Sequence, residues 1–137
     1  MSEARGVLVA HGAMAAGMID AVRKISGAPE DALFAVSNEG RSPDQLQDAI
    51  LEVLGDGPAV VFTDLGAGSC TLAARLSCAH RSAVAVVTGV NLPMLLDFVF
   101  HRGDPVALIA ARMTDKGRAG VRLLHEPCDD DGRPLSR

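Results

Sequence analysis

The chain has 137 residues, a length that suits one domain, and 48% of the residues are hydrophobic against 22% charged. A net charge of -4 without a cluster of Lys and Arg, and only four Phe as aromatic residues, exclude a nucleic-acid-binding surface. No apolar run approaches the ~20 residues that span a bilayer and no signal peptide is apparent, so we expect a cytoplasmic protein without direct membrane insertion.

Four apolar runs of strand length, rich in Val, occur at residues 6–10, 32–36, 59–63 and 83–88. Their hydrophobic residues do not alternate with polar ones, which is typical of strands covered on both faces in a parallel sheet. Between the runs, apolar residues recur every three or four positions, which predicts helices. These residues are Met14, Met18, Val22 and Ile25, then Leu46, Ala49, Ile50 and Val53, then Leu72 and Leu76.

Helix-capping residues support these boundaries. Residues 42–45, Ser-Pro-Asp-Gln, predict a helix that begins with a capping box, and Asn91 and Asp104 precede prolines at two further helix starts. Gly27 and Gly117 suit positions that follow helix ends. Residues 120–126 are a candidate fifth, antiparallel strand, so we expect residues 1–126 to form one domain and the acidic residues 127–137 to form a mobile tail.

The alternation of strands and helices predicts an α/β fold, a doubly wound and mostly parallel four-stranded sheet in the flavodoxin-like order with helices on both faces. In such folds ligands bind outside the carboxyl ends of the strands, where the strand order reverses. In the flavodoxin-like order this point lies between the first and third strands. The residues that leave these two strands are therefore candidates for a functional site.

His11 and Gly12 follow the first strand, and Asp64 follows the third. A carboxylate that accepts a hydrogen bond from one ring nitrogen orients an imidazole and leaves its other nitrogen free as a nucleophile or base. Gly12 removes a side chain beside the ring, so a bulky partner can approach it. The sequence therefore predicts a catalytic pair of His11 and Asp64.

The turn after Asp64 is rich in glycine, and Ser69 begins the next helix. Glycines at 66 and 68 let backbone N–H groups turn toward a ligand, and a helix N-terminus favours negative charge, especially phosphate. A phosphoryl group on or beside His11 is the predicted ligand. Gly12, Gly68 and Ser69 are the predicted phosphate-binding residues.

Simpler interpretations of these residues stay open. His11 could be an ordinary residue at the sheet edge, Asp64 a side chain that caps its own loop, and Ser69 only a helix N-cap. The turn matches neither GxGxxG nor GxxxxGK[ST], which disfavours a dehydrogenase or an ATPase.

The other residues with potential chemistry predict no second site. His80 and His101 suit helix C-termini, where positive charge is favourable. The histidines lack HxH or HExxH spacing and the cysteines form no CxxC pair, so we expect neither a metal nor a cofactor. Cys70 fits a small buried residue better than a reactive thiol, and Met14 and Met18 suit the core of their helix.

Three segments together resemble the IIA component of the mannose-family (mannose, fructose and sorbose) phosphoenolpyruvate-dependent sugar phosphotransferase system. They are VLVAHGAMAAGMIDAV, VVFTDLGAGSCTLAARL and VVTGVNLPMLLDFV, and the similarity spans about residues 6–124. The resemblance implies that His11 accepts a phosphoryl group from the phosphocarrier protein HPr and passes it to a IIB component. It also implies that Asp64 orients His11 and that Ser69 helps to hold the phosphoryl group.

The resemblance further implies a homodimer in which a C-terminal strand is exchanged, and residues 120–126 are the segment available for that exchange. The chain departs from the family's common Thr-Trp-Gly-Gly-Ser-Pro run after the aspartate, because residues 65–70 are Leu-Gly-Ala-Gly-Ser-Cys. This departure keeps His11, Asp64 and Ser69 but changes the residues available for partner contacts.

Two other functions stay open at this point. One is a regulatory IIA-like module that signals or reads phosphorylation state without feeding a transporter. The other is a small hydrolase or isomerase that uses the His–Asp pair, for which Ser69 is the one obvious hydroxyl nucleophile. The IIA-like subunit that feeds dihydroxyacetone kinase is a related protein, but the segment GVNLPML favours the sugar branch.

Overall fold

The computed structural model describes residues 2–135, and strands alternate with helices as the sequence predicts. The strands are β1 (Arg5–Ala10), β2 (Leu33–Ser37), β3 (Ala59–Thr63) and β4 (Val84–Val87). The helices are α1 (Met14–Ser26), α2 (Pro43–Leu54), α3 (Ser69–Cys78), α4 (Leu92–Phe100) and α5 (Val106–Ala119). None of the helices in the described residues combines the length and the apolar character needed to cross a membrane.

The four strands pair in parallel in the order β2-β1-β3-β4. β1 is a central strand, and its Val9 lies opposite Val36 of β2 and Thr63 of β3. The predicted doubly wound parallel sheet in the flavodoxin-like order is therefore confirmed. Because β1 and β3 are neighbours, the residues that leave their carboxyl ends emerge side by side.

Helices cover both faces of the sheet and enclose two separate cores. Successive residues of a strand point to opposite faces. In β1, Leu8 packs in the core formed with α1, α4 and α5, whereas Val7 and Val9 pack in the core formed with α2 and α3. In the first core, the rings of Phe62 and Phe98 meet edge to face with their centroids 5.3 Å apart.

The predicted caps of α1, α2 and α4 are present, but Asp104 does not cap α5, whose N-cap is Pro105. Ser42 and Gln45 form the capping box, and the Asn91 side chain accepts a hydrogen bond from the N–H of Met94. Gly117 was predicted to follow a helix end, and this prediction is wrong, because Gly117 is buried inside α5. A Cβ atom at Gly117 would lie 2.6 Å from the Cε of Met94, so the glycine is needed for close packing of α5 on α4.

Two predicted core faces are partly wrong. Met14 is 42% exposed, and α1 turns Ala15, Ile19 and Val22 inward instead. Leu72 and Leu76 lie on the outer face of α3, which packs on the sheet through small residues. The inner residues of α3 are Cys70, Thr71, Ala73, Ala74 and Cys78. Small inner side chains let α3 lie close to the sheet, and the leucines are left on the opposite side.

The predicted fifth strand is not formed in the described residues. Residues 120–126 have no regular structure, and Val121, Leu123 and Leu124 are largely exposed. The reason is that α5 continues to Ala119 and packs against α4 and β4. The described residues that follow α5 therefore do not pair with a strand of the sheet. Residues 127–135 fold back on themselves, with Cys128 paired to Pro134. The mobility of the tail stays a prediction, and residues 136 and 137 lie outside the described part of the chain.

Candidate functional site

The carboxyl ends of β1 and β3 bring His11 and Asp64 into direct contact. β1 ends at Ala10 and β3 ends at Thr63, so both side chains belong to the first residues beyond neighbouring strands. The Nδ1 atom of His11 lies 2.7 Å from the Oδ2 atom of Asp64. The two residues are separated by 53 positions in the sequence, so the parallel pairing of the strands is what makes this contact.

Asp64 is held in one orientation by backbone donors as well as by the imidazole. Its Oδ2 atom accepts a hydrogen bond of 3.0 Å from the backbone N–H of His11, and its Oδ1 atom accepts one of 3.0 Å from the N–H of Leu65. Burial acts to raise the pKa of Asp64, but the hydrogen bonds and positive charge from His11 outweigh it and hold the pKa below its ordinary value. Asp64 is therefore an ionised acceptor at neutral pH.

The ionised carboxylate fixes the tautomer of His11. A carboxylate can only accept a hydrogen bond, so in the neutral ring Nδ1 carries the proton and Nε2 carries the free lone pair. The side chain of His11 is 43% exposed, whereas that of Asp64 is only 7% exposed. Within residues 2–135, no hydrogen bond engages Nε2. The site thus presents an oriented nucleophile or base at the protein surface.

Residues at the end of β2 hold the backbone beside His11. Gly12 has φ of +59°, a left-handed conformation that costs a residue with a side chain about 1–2 kcal/mol. Its N–H donates to the Oδ1 of Asn38 at 3.2 Å, and its carbonyl accepts from the hydroxyl of Ser37 at 2.7 Å. Sequence reasoning missed Ser37 and Asn38, although their position at the carboxyl end of the strand next to β1 was an available signal.

Two buried threonine hydroxyls hold the glycine-rich turn that follows Asp64. The hydroxyls of Thr63 and Thr71 lie 2.7 Å apart, are buried, and both face the carbonyl oxygen of Leu65. Gly68, with φ of +106°, occupies the N-cap position of α3, and Ser69 is the exposed first residue of that helix. Two of the predicted phosphate-binding residues, Gly68 and Ser69, therefore lie at the N-terminus of a helix whose next residue contacts His11.

That next residue is Cys70. Its Sγ atom lies 3.7 Å from Nδ1 of His11, and the residue is 1% exposed. Burial and the negative charge of Asp64 raise the pKa of the Cys70 thiol, against an opposing effect of the Ser69 side chain, so the thiol is protonated at neutral pH. The predicted burial of Cys70 is confirmed, but its contact with His11 was not predicted. His11, Asp64 and Cys70 each place a potential metal-ligating atom within 4.8 Å of the others.

The remaining histidines lie away from this cluster. His101 caps the C-terminus of α4, as predicted, and its Nδ1 lies 2.9 Å from the carbonyl oxygen of Asp97 and 3.4 Å from its Oδ1. His80 follows the end of α3 and is exposed, as is His125. Among residues 2–135, the group at His11 is the single cluster of three side chains that could bind a metal ion together.

Comparison with known proteins gives a family and a shared fold. Residues 6–115 match the family described as PTS system fructose IIA component. The mannose/sorbose-specific IIA subunit of the phosphotransferase system from Enterococcus faecalis superposes with a TM-score of 0.80 at 23% identity, covering 92% of this chain and 98% of that chain. The phosphotransferase system component EIIA from Streptococcus agalactiae gives 0.79 at 22% identity, covering 86% and 95%.

A third similar structure has a different description. A sigma-54 interaction domain protein from Enterococcus faecalis superposes with a TM-score of 0.71 at 14% identity, covering 88% of this chain and 95% of that chain. At these identities the solved structures show a common fold, and the chemistry has to be argued from the site.

Proposed function

Since the chain belongs to the PTS fructose IIA component family, we propose that His11 accepts a phosphoryl group from HPr and passes it to a IIB component that phosphorylates a sugar. This makes the chain a phosphohistidine carrier, a phosphotransferase that works in the cytoplasm. The observation that carries the proposal is the 2.7 Å contact between Nδ1 of His11 and Asp64, which leaves Nε2 as the attacking atom.

The transfer is an in-line displacement between two imidazoles. Nε2 of His11 forms a bond to the phosphorus as the bond from phosphorus to the donor histidine breaks, and the donor ring leaves with that electron pair. The ring of His11 keeps its proton on Nδ1 and becomes positively charged, which the carboxylate of Asp64 stabilises. The reverse steps pass the group to the IIB component, so positioning and charge are what the protein must supply.

The beginning of α3 supports a role in holding the transferred group. The first N–H groups of an α-helix have no partner within the helix and favour an anion. Cys70 places this end of α3 against the imidazole, and Gly68 and Ser69 lie directly before it in the chain. We therefore assign Gly68, Ser69 and Gly12 to the phosphoryl-binding surface around Nε2.

The proposal is tested with purified phosphorylated HPr that carries a radioactive phosphoryl group. The wild-type chain should take up one group and lose it when a cognate IIB component is added, whereas His11→Ala should take up none. His101→Ala is the matched control, because His101 is 41% exposed and also lies beside an aspartate. Labelling of His11→Ala at the wild-type level would contradict the assignment of the carrier residue.

A homodimer that exchanges residues 120–126 is part of the same proposal. The outer edge of β4 is unpaired in the described chain, and a groove of about 590 Å³ lies between β4 and α5. Residues 120–126 follow α5 directly and expose Val121, Leu123 and Leu124. A strand from a second copy would cover this edge and bury these apolar side chains.

Light scattering tests the exchange on the full chain. Leu123→Glu should shift a dimer toward monomer, because a charge would be buried at the proposed interface. Leu135→Glu is the control, since Leu135 is also exposed but lies in the tail. An unchanged mass for Leu123→Glu would contradict the exchange.

A regulatory module is the second candidate. The likeness in fold to a sigma-54 interaction domain protein favours it, as does the unusual Leu-Gly-Ala-Gly-Ser-Cys turn, which alters the surface offered to a IIB partner. In that case the label on His11 should persist when every cognate IIB component is present. Rapid loss of the label to one of them would support the carrier function instead.

A further inference from the structure

Three side chains of different chemistry converge at His11, the residue that carries the proposed attacking atom. One ligating atom from each of His11, Asp64 and Cys70 lies within 4.8 Å of the other two. Nδ1 of His11 is 2.7 Å from Oδ2 of Asp64 and 3.7 Å from Sγ of Cys70. They come from the end of β1, the end of β3 and the first turn of α3, so the fold brings them together rather than a local motif.

The set of ligands suits zinc. Zn²⁺ is bound by imidazole nitrogen, carboxylate oxygen and thiolate sulfur at about 2.0–2.3 Å in tetrahedral geometry, which places the ligand atoms roughly 3.3–3.8 Å from one another. The distance of 3.7 Å from Nδ1 to Sγ already falls in this range, and the 2.7 Å contact from Nδ1 to Oδ2 needs to open by about 0.6 Å. The ligand atoms of Asp64 and Cys70 lie within 4.8 Å and need to close by at most about 1 Å. Mg²⁺ and Ca²⁺ prefer oxygen ligands and suit the set poorly.

The surroundings of the cluster leave one open side. Cys70 is 1% exposed and the Asp64 side chain 7%, but the His11 side chain is 43% exposed, so an ion can reach the cluster past the imidazole. A water molecule on that side would complete four ligands. Both carboxylate oxygens of Asp64 also keep their backbone N–H donors from His11 and Leu65, which would hold the carboxylate in place as a ligand.

We propose that His11, Asp64 and Cys70 form a zinc-binding site, and that bound zinc blocks the carrier function of His11. Coordination through Nδ1 requires its lone pair, so the ring proton moves from Nδ1 to Nε2 and the attacking lone pair on Nε2 is lost. The thiol of Cys70 releases its proton to solvent and binds as thiolate. Zinc binding stands on the geometry alone, whereas the block rests on the proposed function.

Binding is tested with Co²⁺ as a spectroscopic substitute for Zn²⁺, in a Cys128→Ser background that removes the exposed thiol. The parent chain should bind one Co²⁺ with thiolate-to-metal charge-transfer absorption, which Zn²⁺ displaces and Mg²⁺ does not. Cys70→Ala should lose this absorption and bind Zn²⁺ at least about tenfold more weakly. Cys78→Ala is the matched control, because Cys78 is buried on the same helix outside the cluster.

His11→Ala removes a second ligand at a half-exposed position and guards against a folding defect in Cys70→Ala. It should also lose tight binding while keeping the circular dichroism of the parent chain. Charge-transfer absorption that persists in Cys70→Ala, or the absence of any Co²⁺ or Zn²⁺ binding by the parent, would overturn the proposal.

The block is measured with phosphorylated HPr freed of the enzyme that charges it, so that zinc acts only on HPr and this chain. Excess Zn²⁺ should slow labelling of the Cys128→Ser parent at least about tenfold, reversibly on chelation, and should slow labelling of Cys70→Ala much less. Equal slowing of both chains would overturn the block. A parent chain that takes up no label would instead contradict the proposed function, while the Co²⁺ experiment still decides the zinc site.

Discussion

Residues 2–135 contain two histidine–aspartate pairs with nearly equal exposure of the imidazole, 43% for His11 and 41% for His101. Asp64 reaches His11 across 53 positions and uses both oxygens, which accept from the ring and from two backbone N–H groups. Asp97 lies one helical turn before His101, contacts it at 3.4 Å, and leaves its Oδ2 atom buried without a partner. The two pairs therefore differ less in proximity than in how fully backbone donors orient the carboxylate.

The largest expected difference between the pairs is in rate. Asp64→Asn should keep the fold but slow uptake from phosphorylated HPr by about 10²-fold or more, because an amide no longer fixes the tautomer or stabilises the charged ring. Asp97→Asn should change the rate less than about twofold, because Asp97 orients no reacting atom. Rapid-quench labelling measures both. Equal rates for the two variants would remove Asp64 from the mechanism.

The second difference is in the free energy of unfolding. Asp64→Ala removes a nearly buried acceptor of three hydrogen bonds whose donors are accessible to water, so it should destabilise by about 1–3 kcal/mol. Asp97→Ala should change stability by less than about 1 kcal/mol, since it also removes a buried oxygen without a partner. Urea unfolding of both variants gives the comparison, and a larger loss for Asp97→Ala would contradict it.

The backbone next to each pair gives a smaller contrast. Gly12→Ala should destabilise by about 1 kcal/mol, because alanine is strained at φ of +59° even though the space around the position is open. Gly103, two residues after His101, has open space and no positive φ, so Gly103→Ala should be neutral or slightly stabilising. Thermal unfolding of both variants measures this. Similar losses of stability in Gly12→Ala and Gly103→Ala would mean that the left-handed conformation is not the reason for a glycine at position 12.

The smallest expected effect is a dependence of stability on pH. Asp64 has a lower pKa in the folded chain than when unfolded, so its contribution is fully present above the unfolded pKa and is lost as pH falls through the folded pKa. Between about pH 6 and pH 2, the wild type should therefore lose stability relative to Asp64→Asn. Unfolding free energies measured across this range would contradict the linkage if the difference stayed constant.

The sequence was sufficient for the strand order and for the meeting of His11 with Asp64, because a doubly wound sheet forces the ends of β1 and β3 together. It was not sufficient for Cys70. Whether the second residue of α3 meets the imidazole depends on how closely that helix lies on the sheet, and this is set by small inner residues such as Ala73 and Ala74. The same close packing places Leu72 and Leu76 outside, although their spacing alone suggests a core face.

The parallel register of β1 with β3 also ties the proposed chemistry to the native fold. Carrier chemistry at His11 would depend on a partner that no local segment of the chain can supply. An unfolded chain would then be unable to accept a phosphoryl group from phosphorylated HPr. The amount of label taken up would therefore report only the folded chains. The number of phosphoryl groups bound per chain would thus measure the fraction of a sample that is natively folded.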